Sequence, residues 1–136
     1  MAVALADINK DGLAETAGLV GAHGVDVVEI NGDFTQHGAP EAAVRKVVSS
    51  WGGIDILVNN AAYGVIEPFL DATFVGWTRT LALNVTALAM ACKEAGRAMR
   101  EQRSGRIINI TSPGSRMALP DYTAYTASKA GVDSIT

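Results

Sequence analysis

The sequence predicts an α/β fold, a parallel sheet covered by helices on both faces, and three observations point to it. Short apolar runs alternate with amphipathic stretches along all 136 residues. The runs are nearly continuously apolar, which is how strands buried on both faces read. Fourteen glycines against four prolines suit many tight corners between strand and helix. The length corresponds to a single domain, residues 1–136, large enough to bury a core. With 49% hydrophobic but 6% aromatic residues, that core is aliphatic.

In order, Val3 to Asp7 (VALAD) reads as a strand ending in an acid. Asp11 to His23 follows as a helix, with Gly24 as its stop. Val25 to Ile30 (VDVVEI) is the next strand. Pro40 sits where a first-turn proline belongs and opens a helix through Trp51, which Gly52-Gly53 ends. Ile54 to Ala61 (IDILVNNA) is a third strand. A short helix near Asp71 to Thr78 leads into a long one over Leu81 to Gln102. Ser104-Gly105 turn the chain into a fourth strand, Arg106 to Ser112 (RIINITS). After a loop with Pro113, Gly114 and Pro120, a last helix runs from about Tyr122 to the end. Gly18 to Gly24 (GLVGAHG) imitates a phosphate-binding fingerprint, but it ends a helix and precedes a strand. A phosphate loop needs the reverse order, so that helix N–H groups face the anion.

Composition excludes several classes. A net charge of −3 leaves no basic footprint for nucleic acid and no polybasic membrane patch. Cys92 stands alone, and His23 and His37 lie fourteen apart, so neither a disulfide framework nor a metal site is expected. The longest apolar run, Leu81 to Cys92, is interrupted by Asn84 and Thr86 and is too short for a bilayer. No secretory leader is legible at Met1, so the two Asn-x-Thr triplets at Asn84 and Asn109 read as accidental and the cytoplasm is the expected compartment.

In parallel sheets the ligand crevice lies at the carboxyl ends of the strands. Asp7, Asp33, Asn59-Asn60 and Thr111-Ser112 fall there, although strand ends are often polar simply because they meet solvent. Within DYTAYTASKAG (Asp121 to Gly131), Tyr125 and Lys129 are i and i+4 and share a helix face about 6 Å apart along the axis. Tyr122 lies two turns from Lys129. A phenol titrates near pH 10, and bringing one to neutrality takes about 4 kcal/mol. An ammonium about 4 Å away supplies roughly that much at an effective dielectric near 20. Lys129 can therefore turn Tyr125 into a general acid/base. Alone, the pair reads more readily as an exposed Tyr and Lys on a helix face. Ser112, at a strand end thirteen residues earlier, could hold a carbonyl beside the phenol.

These residues resemble the short-chain dehydrogenases/reductases. YTASK (125–129) matches the family's Tyr-x-x-x-Lys, and INITS (108–112) matches the strand ending in its serine. DILVNNAA (55–62) resembles Asp-x-Leu-Val-Asn-Asn-Ala-Gly, and LALNVTA (81–87) the helix with its active-site asparagine. VALADIN (3–9) and GDFTQ (32–36) look like the family's second-strand and third-strand ends.

The resemblance implies a partial Rossmann-like, doubly wound parallel sheet in three layers, holding the family's second to fifth strands. It implies a nicotinamide-dependent oxidoreductase acting between an alcohol and a ketone. Tyr125 would be the acid/base, and Lys129 would acidify it and bond the nicotinamide ribose. Ser112 would polarise the substrate carbonyl, and Asn84 would hold a water in a relay to Lys129. Asp7 would accept from the adenosine ribose and repel a 2′-phosphate, which favours NAD over NADP, with Lys10 the one basic residue nearby. Asp33 and Phe34 would meet the adenine, and Asn59, Asn60, Ala61 and Ala62 the turn near the ribose. Ala62 stands where the family has glycine. The complete enzyme would be a homo-oligomer, a dimer or tetramer.

The family's first strand and its Gly-x-x-x-Gly-x-Gly turn are not among these residues, and the closing GVDSIT lies inside a helix. The sequence thus reads as an internal piece of a longer enzyme. In the family's sheet order, 3-2-1-4-5, strands Val3 to Asp7 and Ile54 to Asn59 would flank an unfilled slot. Two other readings are a non-catalytic interaction module, with the alanines of the long helix as its surface, and an epimerase or dehydratase that shares Tyr-x-x-x-Lys.

Overall fold

A computed structural model describes all 136 residues. The apolar runs form four short strands: β1 (Ala2–Asp7), β2 (Asp26–Asn31), β3 (Ile56–Asn59) and β4 (Arg106–Asn109). β1 pairs in parallel with β2, Ala2 opposite Asp26 through Asp7 opposite Asn31. β3 pairs in parallel with β4, Ile56 opposite Arg106 through Asn59 opposite Asn109. The two ribbons share no ladder of hydrogen bonds. The slot expected between the first and third strands is therefore present as a break between two sheets.

The helices are α1 (Lys10–Gly21), α2 (Ala39–Trp51), α3 (Phe74–Leu81), α4 (Leu88–Gln102) and α5 (Thr123–Ile135). α1 is capped by Asn9, whose side chain accepts from Gly12 N, and the chain leaves it through Gly24 at φ +70°. α2 starts with Pro40 in its first turn and ends at Gly52, which takes φ +79° as glycine can without strain. β3 is shorter than the sequence suggests. Ile54 turns its backbone to a side chain instead: its N–H donates to Gln102 Oε1 (2.9 Å) and its carbonyl accepts from Gln102 Nε2 (3.2 Å). The short and long helices expected around residue 80 join into one rod. α3 passes into α4 through a π-helical turn, Ala82–Ala87, because no glycine or proline interrupts the path.

One core holds the ribbons together. Val44 and Val47 of α2, Ile54, and Ala91, Ala95 and Met99 of α4 are buried as a cluster. Ala4 and Ile30 pack on it from the first ribbon, and Leu57 and Ile107 from the second. The alanines of α4 thus serve intrachain packing, Ala95 being fully buried. α1 packs on β1 and β2, burying Leu13 and Ala17. Beside it, Ile56, Val58, Ile108 and Ile110 are exposed on the second ribbon.

Candidate active site

The C-terminal ends of both ribbons meet at one place. Arg79 of α3 stacks its guanidinium over the Tyr63 ring, 4.6 Å from the centroid, just beyond β3. The same charge is felt by Asp33 beyond β2. Asp33 is held below its ordinary carboxylate range chiefly by the Thr35 hydroxyl (2.7 Å) and the Thr35 N–H (2.9 Å).

α5 forms here because Tyr122 to Thr126 start a helical ladder, with Thr126 N donating to Tyr122 O at 2.8 Å. Its face then brings Lys129 beneath Tyr125, the ammonium 5.6 Å from the ring centroid. Lys129 is 3% exposed and donates to the Ile110 carbonyl at 2.6 Å. No carboxylate pairs with it, and burial pulls its pKa below the ordinary lysine value. Tyr125 is half-buried; its ring lies against Gly64, where an added Cβ would come within 3.0 Å of Cδ2.

Asn84 lies in the π turn and is 1% exposed. Its Oδ1 accepts from Tyr63 N (2.8 Å), and its Nδ2 donates to Tyr63 O (2.8 Å) and to Ser128 Oγ (2.9 Å). Ser128, fully buried, donates in turn to Tyr125 O at 2.6 Å. The asparagine therefore ties the loop after β3 to the helix that carries Tyr125. Ser112 opens a short 3-10 turn, Pro113–Ser115, which packs on α5. Its Oγ accepts from Gly114 N (3.2 Å), so the hydroxyl proton remains for another acceptor.

Asp7 ends β1 exposed, with Oδ1 accepting from Asn9 N at 2.8 Å. Phe34 is half-buried, and Asn60, Ala61 and Ala62 are exposed in the loop past β3. Asn59 faces elsewhere: its Nδ2 donates to Asn109 Oδ1 (2.9 Å) and Cys92 Sγ (3.2 Å). That side chain bridges strands. Burial pushes the Cys92 thiol pKa up. Acceptor carboxylates, an exposed loop, a hydroxyl and an ammonium form a donor set that suits the ribose and ring ends of a dinucleotide. No group of three or more His, Cys, Asp or Glu side chains is arranged to hold a metal ion.

Sequence reasoning missed Ser128, Gly64 and Arg79. Ser128 had a signal, since i+3 from Tyr125 places it on the same helix face. Gly64 and Arg79 act across the chain and had none.

The family model for short chain dehydrogenases matches residues 1–136. The chain belongs to the short-chain dehydrogenase family. Among curated relatives it is 37% identical to the uncharacterised oxidoreductase YohF of Escherichia coli over 94% of this chain and 51% of that protein. It is 32% identical to a D-threitol dehydrogenase of Mycolicibacterium smegmatis (96% and 50% covered) and 34% identical to a sorbitol dehydrogenase of Cereibacter sphaeroides (98% and 52%). It superposes on an NAD+-bound xylitol dehydrogenase with a TM-score of 0.94 at 34% identity, covering 99% of this chain and 52% of the other. A metagenomic short-chain oxidoreductase in complex with NADP gives 0.93 at 28%, covering 98% and 61%. The chain spans about half the length of the curated relatives it matches. The fold is the Rossmann-type α/β sheet of these dehydrogenases. No helix is long and apolar enough to cross a membrane.

Proposed function

We propose that the chain carries the substrate-facing site of an alcohol dehydrogenase, with Tyr125 as acid/base. The observation that supports this most is the buried Lys129 ammonium, without a carboxylate partner, 5.6 Å from the Tyr125 ring. At an effective dielectric near 20, a unit charge about 4–6 Å from a phenol oxygen favours the phenolate by about 3–4 kcal/mol. A bound oxidised nicotinamide supplies the hydride acceptor. The chain's residues then handle the proton. Ser112 donates its hydroxyl hydrogen to the substrate oxygen, and the Tyr125 phenolate takes the alcohol proton as that oxygen becomes a carbonyl. Lys129 stabilises the phenolate and would bond the nicotinamide ribose. Asn84 fixes the position of α5 through Ser128, and a water held toward Lys129 would use its backbone or the remaining Oδ1 lone pair.

Asp7, whose Oδ1 is taken by Asn9 N while its other carboxylate oxygen would be left for the ribose hydroxyls, supports NAD over NADP. Asp33 and Phe34 would flank the adenine, and Asn60, Ala61 and Ala62 the ribose turn. Sugar alcohols are the substrates to test first, because relatives named for threitol and sorbitol and a structure named for xylitol are 32–34% identical to this chain. A dimer or tetramer and a cytoplasmic setting complete the proposal.

The test is NADH fluorescence combined with turnover of NAD and xylitol, sorbitol or threitol. Saturable enhancement that Asp7→Arg weakens, and turnover that Tyr125→Phe lowers by at least about a hundredfold, are expected. Binding and turnover both absent would favour the second reading, a non-catalytic module of the same fold, which the break between the two sheets supports.

A further inference from the structure

The segment Ile110 to Arg116, which carries Ser112, is held to α5 at two successive helical turns. Lys129 takes the Ile110 carbonyl. One turn on, Asp133 Oδ1 accepts from Thr111 Oγ1 at 2.5 Å, and Asp133 Oδ2 lies 3.7 Å from Arg116 Nε. The nearby Ser115 hydroxyl helps hold that carboxylate below its ordinary range. Thr111 and Ser115 bracket Ser112, and Ser115 N donates to Ser112 O at 2.9 Å, which makes residues 112–115 one compact turn. Gly114 of that turn is buried against Thr126 of α5, where a Cβ would meet Cγ2 at 3.0 Å.

Each side-chain contact of Asp133 on α5 goes to the Ser112 segment. Tyr125 lies two turns earlier on the same helix. We propose that Asp133 is a positioning residue for Ser112: it grips Thr111 and Arg116 on either side and so sets the hydroxyl in register with Tyr125. The catalytic consequence rests on the function proposed above; the grip itself rests on geometry.

Two measurements separate these. By hydrogen exchange, Asp133→Ala speeds the amides of Gly114, Ser115 and Arg116 on the order of tenfold while the first turns of α5 keep their protection. Thr111→Val copies the effect on this segment, and Thr111→Ser does not. Unchanged exchange in both Asp133→Ala and Thr111→Val overturns the grip. In turnover with NAD and a sugar alcohol, Asp133→Ala lowers kcat on the order of tenfold, with the KM for NAD unmoved. On a Ser112→Ala background the same substitution costs nothing further, since it acts through that hydroxyl. A full, independent loss on that background overturns the positioning role. A parent chain that shows no turnover sinks the proposed function instead, and exchange then decides the grip.

Discussion

At the scale of single residues, Lys129 and Asn84 show what a buried polar group does when its partners are fixed. The i,i+4 spacing placed Lys129 under Tyr125 from sequence alone, but not its acceptor, because Ile110 reaches it through tertiary packing. Burial lowers the Lys129 pKa from 10.5. Between that lowered value and 10.5 the unfolded chain binds more protons than the fold, so stability rises with pH across the window. Lys129→Met removes the buried charge while keeping most of the volume. Its urea midpoint at neutral pH is expected to equal or exceed the parent's, with a flatter alkaline profile and no turnover; a clearly lower midpoint contradicts this. Asn84→Asp does the opposite. It replaces two donors with acceptors facing the Tyr63 carbonyl and Ser128 Oγ. A loss of about 3 kcal/mol in urea unfolding is expected.

Among elements, boundaries set by proline and glycine were legible, and boundaries set by distant side chains were not. Pro40 and Gly52 frame α2 as local chemistry requires. Gln102, which delays the start of β3 by taking the backbone of Ile54, lies 48 residues away, and no local pattern announces it. The π turn escaped for the same reason, since its asparagine is held by Tyr63. The turn from α4 into β4 depends on Gly105, at φ +155° and with no room for a Cβ beside Met99. Gly105→Ala is expected to cost about 2–4 kcal/mol, read by chemical denaturation. The join between α5 and the Ser112 turn responds to acid. The Ser115 hydroxyl, then Thr111, hold Asp133 below its ordinary 3.8. Its contribution is present above about pH 4 and is lost as pH falls through the lowered value. Asp133→Asn is therefore expected to lose less stability than the parent between neutral pH and acid. Parallel acid profiles for the two proteins contradict that.

For the whole molecule, the strand-helix alternation and the family's sheet order foretold both the α/β layers and the break between β1 and β3. What they did not foretell is its consequence for the surface. A compact protein of 14.2 kDa exposes about 6,800 Å². This one exposes 8374 Å². Part of the excess is the face of the second ribbon, where Ile56 is 59% and Val58 53% exposed beside Ile108 and Ile110. Parallel ribbons normally carry helices on both faces, so an open apolar face should bind hydrophobic dyes and promote self-association. A double substitution, Ile56→Thr with Val58→Thr, keeps β-branching and removes apolar surface that packs against nothing. The variant is expected to bind less dye and to sediment with less associated material at the same concentration. Its thermal midpoint should stay near the parent's, because these side chains stabilise the fold little while exposed. A midpoint several degrees lower would mean that the two residues are covered in solution, by a partner copy or by a rearranged ribbon. Dye binding as strong as the parent's would place the sticky surface elsewhere.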